Sequence, residues 1–299
     1  MHRPKHILEY ALLRVVAAVL QVLPLRIAFA MVWCPAAFFH VVVRFRVKAA
    51  HARLHEVFGS AMTDRDVRRV AWLSWRNLCF NVVEIMRLRT MTLADARRIY
   101  VNLDEFTEFA SQTPEGAGGV MAIPHAGNWD MAGTVVQLHG FPLFVLARPQ
   151  SNPLTDRFLN HMRGAQGVPT VMNNSSMLKN IVRRLKKGEW MAILPDVRAK
   201  QVAVTVDYLG GRANIGGGMA MFSRTAKVPI QMGFCIREGW TRHRFVRGEQ
   251  VVSDPTLSKQ EDVERMTQQV MAFFEENVRR YPEQYFWYNK RWVLDPLPT

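Results

Sequence analysis

Cysteine is scarce in this chain. There are three among 299 residues, Cys34, Cys79 and Cys235, far apart and odd in number. With no CxxC pair and no Cys/His ligand spacing, neither a disulfide framework nor a zinc site is suggested, and a reduced, cytoplasm-facing setting fits. There is no G-x-S-x-G nucleophile elbow and no Cys beside a candidate base, which disfavours a hydrolase. There is no H-E-x-x-H ligand set, which leaves metalloenzyme chemistry unsupported. No cofactor and no metal is therefore expected. Gly216-Gly217-Gly218 carries neither a Walker Lys-Ser/Thr nor a dinucleotide fingerprint, so a nucleotide site is not indicated. Internal repeats, low-complexity linkers and RNP or zinc-finger patterns are missing as well, so nothing points to nucleic acid as a partner.

Negative charge is also in short supply, with 25 Asp and Glu against 39 Lys and Arg, a formal net charge of +14. That excess implies attraction to something anionic: a membrane surface, a phosphorylated substrate, an acidic protein or nucleic acid. Composition does not choose among them. The densest basic run, Arg183-Arg184-Leu185-Lys186-Lys187, reads as a solvated helix face. Hydrophobic residues make up 49% of the chain, enough for a large core in one big α/β domain or two smaller ones.

The apolar residues are heaviest at the start. Ile7 to Val43 is broken by Arg14, Pro24 and Arg26, leaving Ile27 to Val43 as 17 residues without formal charge, the lower limit for crossing a bilayer. Arg44, Arg46 and Lys48 follow. The segment reads equally as a short span with a basic cytoplasmic flank and as a hairpin in the membrane interface, with a buried hairpin of the core as the bland alternative. A cleaved signal peptide fits less well, because Arg and Lys stand where small residues would precede cleavage. Residues 1–50 are thus set apart as an N-terminal membrane-associated helical segment, and residues 51–299 as the α/β domain.

Thr63-Asp64-Arg65-Asp66 makes a capping-box-like start for a helix whose apolar face runs from Val67 to Ile85 and continues to about Arg89. One further helix is expected near Ala94 to Ala110. Strands and helices then alternate. Strands are expected at Gly119–Ile123, Leu143–Ala147, Trp190–Leu194, Val202–Val206, Ile230–Ile236 and His243–Val252. Helices are expected from Asn128, at Pro153–Arg163, Met177–Lys187, Gly218–Thr225 and Lys259–Arg280. This is the pattern of an α/β layered domain with a central, mainly parallel or mixed sheet flanked by helices.

The most informative run is His125-Ala126-Gly127-Asn128-Trp129-Asp130. Residues five apart on one helix point about 140° from each other, so His125 and Asp130 meet only if the His lies in a loop and the Asp in the first turn of the following helix. Pro124 ends the preceding strand and Asn128 is a good N-cap, so the sequence supports that bend. Asp130 would then accept from one ring nitrogen of His125 and raise the basicity of the other, making His125 a general base toward a hydroxyl. Amides at the helix N-terminus would face charge developing on a carbonyl oxygen. Taken alone, H-x4-D is a weak signal.

Its company is more specific. Arg148-Pro149 with Asn152-Pro153, then Lys187-Gly188-Glu189 leading to Ile193-Leu194-Pro195-Asp196, resembles the bacterial lipid A biosynthesis acyltransferases of the lauroyl and myristoyl type, within the lysophospholipid acyltransferase superfamily. Val206-Asp207-Tyr208-Leu209-Gly210-Gly211, Gly216-Gly217-Gly218, Val228-Pro229-Ile230 and Tyr281-Pro282-Glu283-Gln284-Tyr285-Phe286-Trp287 with Lys290-Arg291 continue the resemblance in order over nearly the whole chain. It implies an α/β enzyme on the cytoplasmic face of the membrane. The implied reaction moves an acyl chain from acyl carrier protein or acyl-CoA to a hydroxyl of a membrane lipid. His125 would be the base and Asp130 its partner. Arg148 would contact substrate phosphate, which suits its bidentate guanidinium, and Asp196 would either support the site from behind the reacting groups or position substrate. Asn128 and Asn152 complete the expected substrate-binding set. Three positions depart from the lipid A pattern: Asp130 where Glu is common, Val197 where Gln is frequent, and Asn289 where His is typical. Asp at the first of these is usual in glycerolipid and phosphatidylinositol mannoside relatives. A lipid A precursor is the leading acceptor, with a phosphatidylinositol mannoside, a lysophospholipid, or non-catalytic lipid binding as alternatives.

Overall fold

Proline sets the first boundary. In this computed structural model, which describes residues 3–146, 151–164, 168–171, 177–201 and 203–295, two apolar helices lead the chain, α1 (Pro4–Val22) and α2 (Leu25–Val41). They part at Leu23, whose extended backbone is what the following Pro24 demands. Both are short. Among the described residues no helix is long and apolar enough to cross a membrane, so the reading of Ile27 to Val43 as a span is not supported. Ala17, Leu20, Ala28 and Phe29 pack against Phe80 and Val83. The outer faces leave Leu8, Leu12, Val15, Phe38 and Val41 exposed.

Then come α3 (Val47–Phe58) and α4 (Asp64–Ile85). The start of α4 is a true capping box. Thr63 accepts from the Asp66 amide and Asp66 accepts from the Thr63 amide, an arrangement contributing about 1 kcal/mol. The single helix expected at Ala94–Ala110 is two, α5 (Leu93–Ile99) and α6 (Leu103–Gln112). Tyr100 and Val101 leave the helical path between them to pair with His243.

The layered region runs β1 (Gly119–Ala122), α7 (Trp129–Leu138), β2 (Leu143–Leu146), α8 (Pro153–Gly164), β3 (Thr170–Val171), α9 (Met177–Leu185), β4 (Trp190–Ile193), β5 (Val204–Tyr208), β6 (Gly211–Ile215), α10 (Gly218–Ala226), β7 (Ile230–Glu238), β8 (Arg242–Val251) and α11 (Lys259–Arg280). Six strands form one sheet in the order β3-β2-β4-β1-β7-β8, parallel except for antiparallel β8 at the edge. The expected mixed sheet is therefore present. The strand placed at Val202–Val206 is instead β5, paired with β6 in a separate hairpin. Its two turn residues, Leu209 and Gly210, both take positive φ, the handedness that lets a two-residue turn follow the strand twist.

Alternation buries both faces of the sheet. Val120 and Ala122 of β1 and Met191 of β4 enter the core beneath α9, α10 and α11. Met121, Trp190 and Ala192 point the other way, into a core closed by Phe106 and Phe109 of α6 and Val136 of α7.

Candidate active site

The register of β1 on β4 builds the site. Ala122 lies opposite Ile193, and each strand exits through the same three-residue step, Ile123-Pro124-His125 on one and Leu194-Pro195-Asp196 on the other. Parallel strands leaving by equal steps bring His125 and Asp196 face to face at the carboxyl edge of the sheet, where α/β folds place their ligand crevices.

The contact is two-pronged. The His125 backbone N–H donates to Asp196 Oδ2 at 2.9 Å, and ring Nδ1 lies 2.7 Å from Oδ1. A carboxylate opposite Nδ1 requires that nitrogen to carry the proton, which makes Nε2 the basic one. Asp196 is almost wholly buried while the His125 side chain keeps about a quarter of its surface exposed, 1% against 24%. Burial on its own would lower the imidazole pKa. The charge and hydrogen bond of Asp196, with a smaller push from Asp130, outweigh it, and the pKa is raised despite Arg291 nearby. Behind Asp196 stand Tyr208 and Tyr285. Burial holds both phenols well above their usual pKa, so they stay neutral.

The residues expected at the site divide. His125 and Asp196 meet, and Asp196 takes the hydrogen bond that Asp130 was expected to make. The reason is the sheet: Asp130 sits in the first turn of α7 and acts on the ring as a nearby charge, while the β4 exit delivers Asp196 directly to Nδ1. Asn128 does cap α7, its Oδ1 accepting from the Met131 amide at 3.0 Å. Its Nδ2 donates to Glu84 at 2.6 Å and the residue is buried. Asn152 is likewise engaged in packing, donating to the His6 carbonyl and Glu9 of α1 and accepting from the Leu154 amide. Arg148 lies outside the described residues.

Two features of the loop were not anticipated. Gly127 adopts φ +56°, and a Cβ there would lie 2.3 Å from the Cys235 carbonyl oxygen, so only glycine fits. The C-terminal run Gln284–Phe286 straps the loop from outside: Gly127 N–H donates to the Gln284 carbonyl, Phe286 N–H donates to the His125 carbonyl, and Ala126 bridges to Tyr285. Trp129 meets the His125 ring edge-on, 5.2 Å between centroids.

Next to the dyad lies a cavity of about 140 Å³. Trp129 and Asp130 form part of its wall, and Ile85, Ile123, Leu143, Leu146 and Leu194 make the rest mostly apolar. Gly133 lines both this cavity and an adjoining apolar one walled by Phe106, Val136 and Phe234. Among the described residues no cluster of His, Cys, Asp and Glu is arranged to hold a metal.

A family model described as bacterial lipid A biosynthesis acyltransferase matches residues 2–293. The chain is 25% identical over 217 residues to the phosphatidylinositol mannoside acyltransferase of Mycobacterium tuberculosis (strain CDC 1551 / Oshkosh), covering 71% of this chain and 66% of that one. It is 26% identical over 220 residues to the protein of the same name from Mycolicibacterium smegmatis, covering 71% and 68%. With the protein of that name from Mycobacterium tuberculosis H37Rv it shares 26% over 184 residues, covering 60% and 56%. The chain thus spans between about half and two-thirds of the length of these relatives.

Proposed function

The chain belongs to the bacterial lipid A biosynthesis acyltransferase family, and on that premise we propose that it transfers a fatty acyl group from a thioester, on acyl carrier protein or coenzyme A, to a hydroxyl of a membrane glycolipid. The observation that carries this reading is the two-pronged grip of Asp196 on His125, which leaves Nε2 basic, with an apolar cavity walled by the neighbouring Ile123, Trp129 and Asp130. His125 Nε2 takes the hydroxyl proton as the acceptor oxygen attacks the thioester carbonyl carbon. The tetrahedral oxyanion collapses, the C–S bond breaks, and the imidazolium returns its proton to the departing sulfur. The products are an ester and a free thiol, and no protein nucleophile is needed. Asp130, at the start of α7, adds negative charge that favours the imidazolium in the transition state. Arg148 is assigned to acceptor or donor phosphate on the chemistry of its guanidinium.

The acceptor is a glycolipid. A lipid A precursor is indicated by the description of the family. A phosphatidylinositol mannoside is favoured by the names of the matched relatives and by Asp at position 130. The exposed apolar face of α1 and α2, with Arg44, Arg46 and Lys48 just beyond, supports attachment to the cytoplasmic membrane surface without crossing it.

The test is incubation of the purified chain with acyl-acyl carrier protein or acyl-CoA and a panel of acceptors: a lipid A precursor, phosphatidylinositol mannosides and lysophospholipids. One acceptor should be esterified, and His125→Ala should lose turnover by about two to four orders of magnitude. Transfer at the wild-type rate in His125→Ala refutes the mechanism, and no transfer to any acceptor refutes the activity.

A further inference from the structure

Behind the catalytic loop lies a buried ionic cluster with no part in the chemistry just described. Glu84 of α4 is its centre. Its Oε1 accepts from Arg237 Nη1 and His243 Nε2, both at 2.9 Å, and its Oε2 accepts from Arg237 Nη2 at 2.5 Å and Asn128 Nδ2 at 2.6 Å. The side chains of Arg237 and His243 are wholly buried and Glu84 nearly so. Burying charge in this way is costly and often contributes little to stability, so a retained cluster calls for another reason.

Its connections supply one. Arg237 Nη2 also donates to Asn81 Oδ1 at 2.7 Å, and Asn81 Nδ2 donates to the Gly127 carbonyl at 2.6 Å. The Arg237 backbone exchanges hydrogen bonds with the Gln284 side chain, and the Gln284 backbone carbonyl accepts from the Gly127 N–H. The cluster therefore grips both sides of the Gly127-Asn128 step: carbonyl, amide and N-cap side chain. That step lies between His125 and Asp130. Phe29 and Phe80 flank the guanidinium, with ring centroids 5.7 and 5.8 Å from its carbon, and close it off from solvent.

We infer that Glu84, Arg237 and Asn81 are positioning residues for the base, holding the Gly127-Asn128 step so that His125 keeps its two-pronged contact with Asp196. The inference rests on the reading of His125 as the base. The groups facing the His125 ring are Asp196 from the β4 exit, Asp130 from α7 and Arg291 from the C-terminal segment, and none belongs to the cluster. Any effect of the cluster on the ring must therefore travel through the loop.

Glu84→Ala would leave Arg237 buried without its counter-ion and can unfold the chain. The test therefore uses Arg237→Lys, which keeps the charge and loses the fork, and Asn81→Ala, which releases the Gly127 carbonyl. Both are made in the full chain and confirmed folded by circular dichroism. The His125 ring is titrated by NMR on histidine-labelled protein, with the signal identified from a His125→Gln spectrum. In both variants the titration midpoint should fall by about half a unit or more, as the contact with Asp196 loosens. Where an acceptor is turned over, kcat should fall about ten- to a hundredfold with KM within about twofold. A midpoint equal to wild type in a folded variant overturns the proposal, whatever the activity. If one variant does not fold, the other decides. Lack of turnover by the wild type would defeat the acyltransfer reading alone, since the titration needs no substrate.

Discussion

Replacing Asp196 by Asn tests the dyad with almost no change in shape. The carboxylate accepts twice from one residue, from the backbone N–H of His125 and from its ring Nδ1–H. An amide has one oxygen. If Oδ1 faces the ring, the NH2 group opposes the backbone N–H; if it faces the backbone, the NH2 group opposes Nδ1 and drives the proton to Nε2, abolishing the base. Both orientations lose one of two charge-assisted bonds outright and reduce the other to a neutral one. At about 1.5–3 kcal/mol for a bond to a charged group and about 0.5–1.5 for a neutral one, the dyad forfeits roughly 2.5–4.5 kcal/mol of orientation and imidazolium stabilisation, or about two to three decades in rate. Acyl transfer followed over a range of pH should therefore give a kcat about 10²–10³ lower for Asp196→Asn. The acid limb of kcat/KM should move to lower pH, because the charge that raises the His125 pKa is gone. Asp130→Asn removes a weaker push on the His125 ring than Asp196→Asn does, so its acid limb should move less. Near-wild-type turnover in Asp196→Asn beside an inactive Asp130→Asn would return the orienting role to Asp130 and refute the register argument.

Stability in acid should report on Glu84. Burial works against its ionisation, yet Arg237 and His243 hold its carboxyl at about 2 against an ordinary 4.5. A depressed folded pKa gives stability that is full above the ordinary value and lost as pH falls through the folded one. The gap corresponds to roughly 3 kcal/mol disappearing between about pH 5 and 2, and urea unfolding of Glu84→Gln should lack that acid-dependent part. Gly127→Ala combines a left-handed backbone that costs about 1–2 kcal/mol with a Cβ only 2.3 Å from a carbonyl oxygen. Denaturation and steady-state kinetics should find it destabilised by at least that much and slower by tenfold or more; a variant equal to wild type in both would show the loop to be slack. At Gly133 an added Cβ meets only Leu143, at 3.4 Å. Gly133→Leu should therefore fold normally while filling the junction of the two cavities. Competition between long and short acyl donors should shift toward the shorter by about tenfold or more, at ~0.8 kcal/mol per excluded methylene, and an unchanged preference would mean the chain lies elsewhere.

Local signals carried much of the fold. Thr63-Asp66 and Asn128 cap helices because small polar side chains reach backbone amides within one turn, and such reach is visible in a short window of sequence. The break at Tyr100 and the detachment of β5 from the main sheet were hidden, because both depend on partners far along the chain, His243 for one and β6 for the other. The site follows the same division. His125 stands out by its context, whereas its true ring partner is 71 residues away. A signal for it did exist: Ile-Pro-His and Leu-Pro-Asp end two apolar strands in the same way. Reading that repetition requires knowing that the two strands are neighbours in register. Glu84, Arg237 and Asn81 gave no comparable sign, since a charged residue on a helix face or at a strand end ordinarily reads as solvated.

The equal exits from β1 and β4 have a consequence for how such a chain can diversify. The separation of His125 and Asp196 is fixed by the lateral spacing of two hydrogen-bonded strands and by two short proline-containing steps. The part of the chain between them that runs from α7 through β2, α8 and β3 to α9 does not set that distance. Insertions, deletions and repacking in this stretch can remodel the surrounding walls while His125 and Asp196 stay in place. On the proposed mechanism, chemistry and selectivity are then inherited on separate parts of the backbone, so one lineage can change its lipid without reinventing its catalyst.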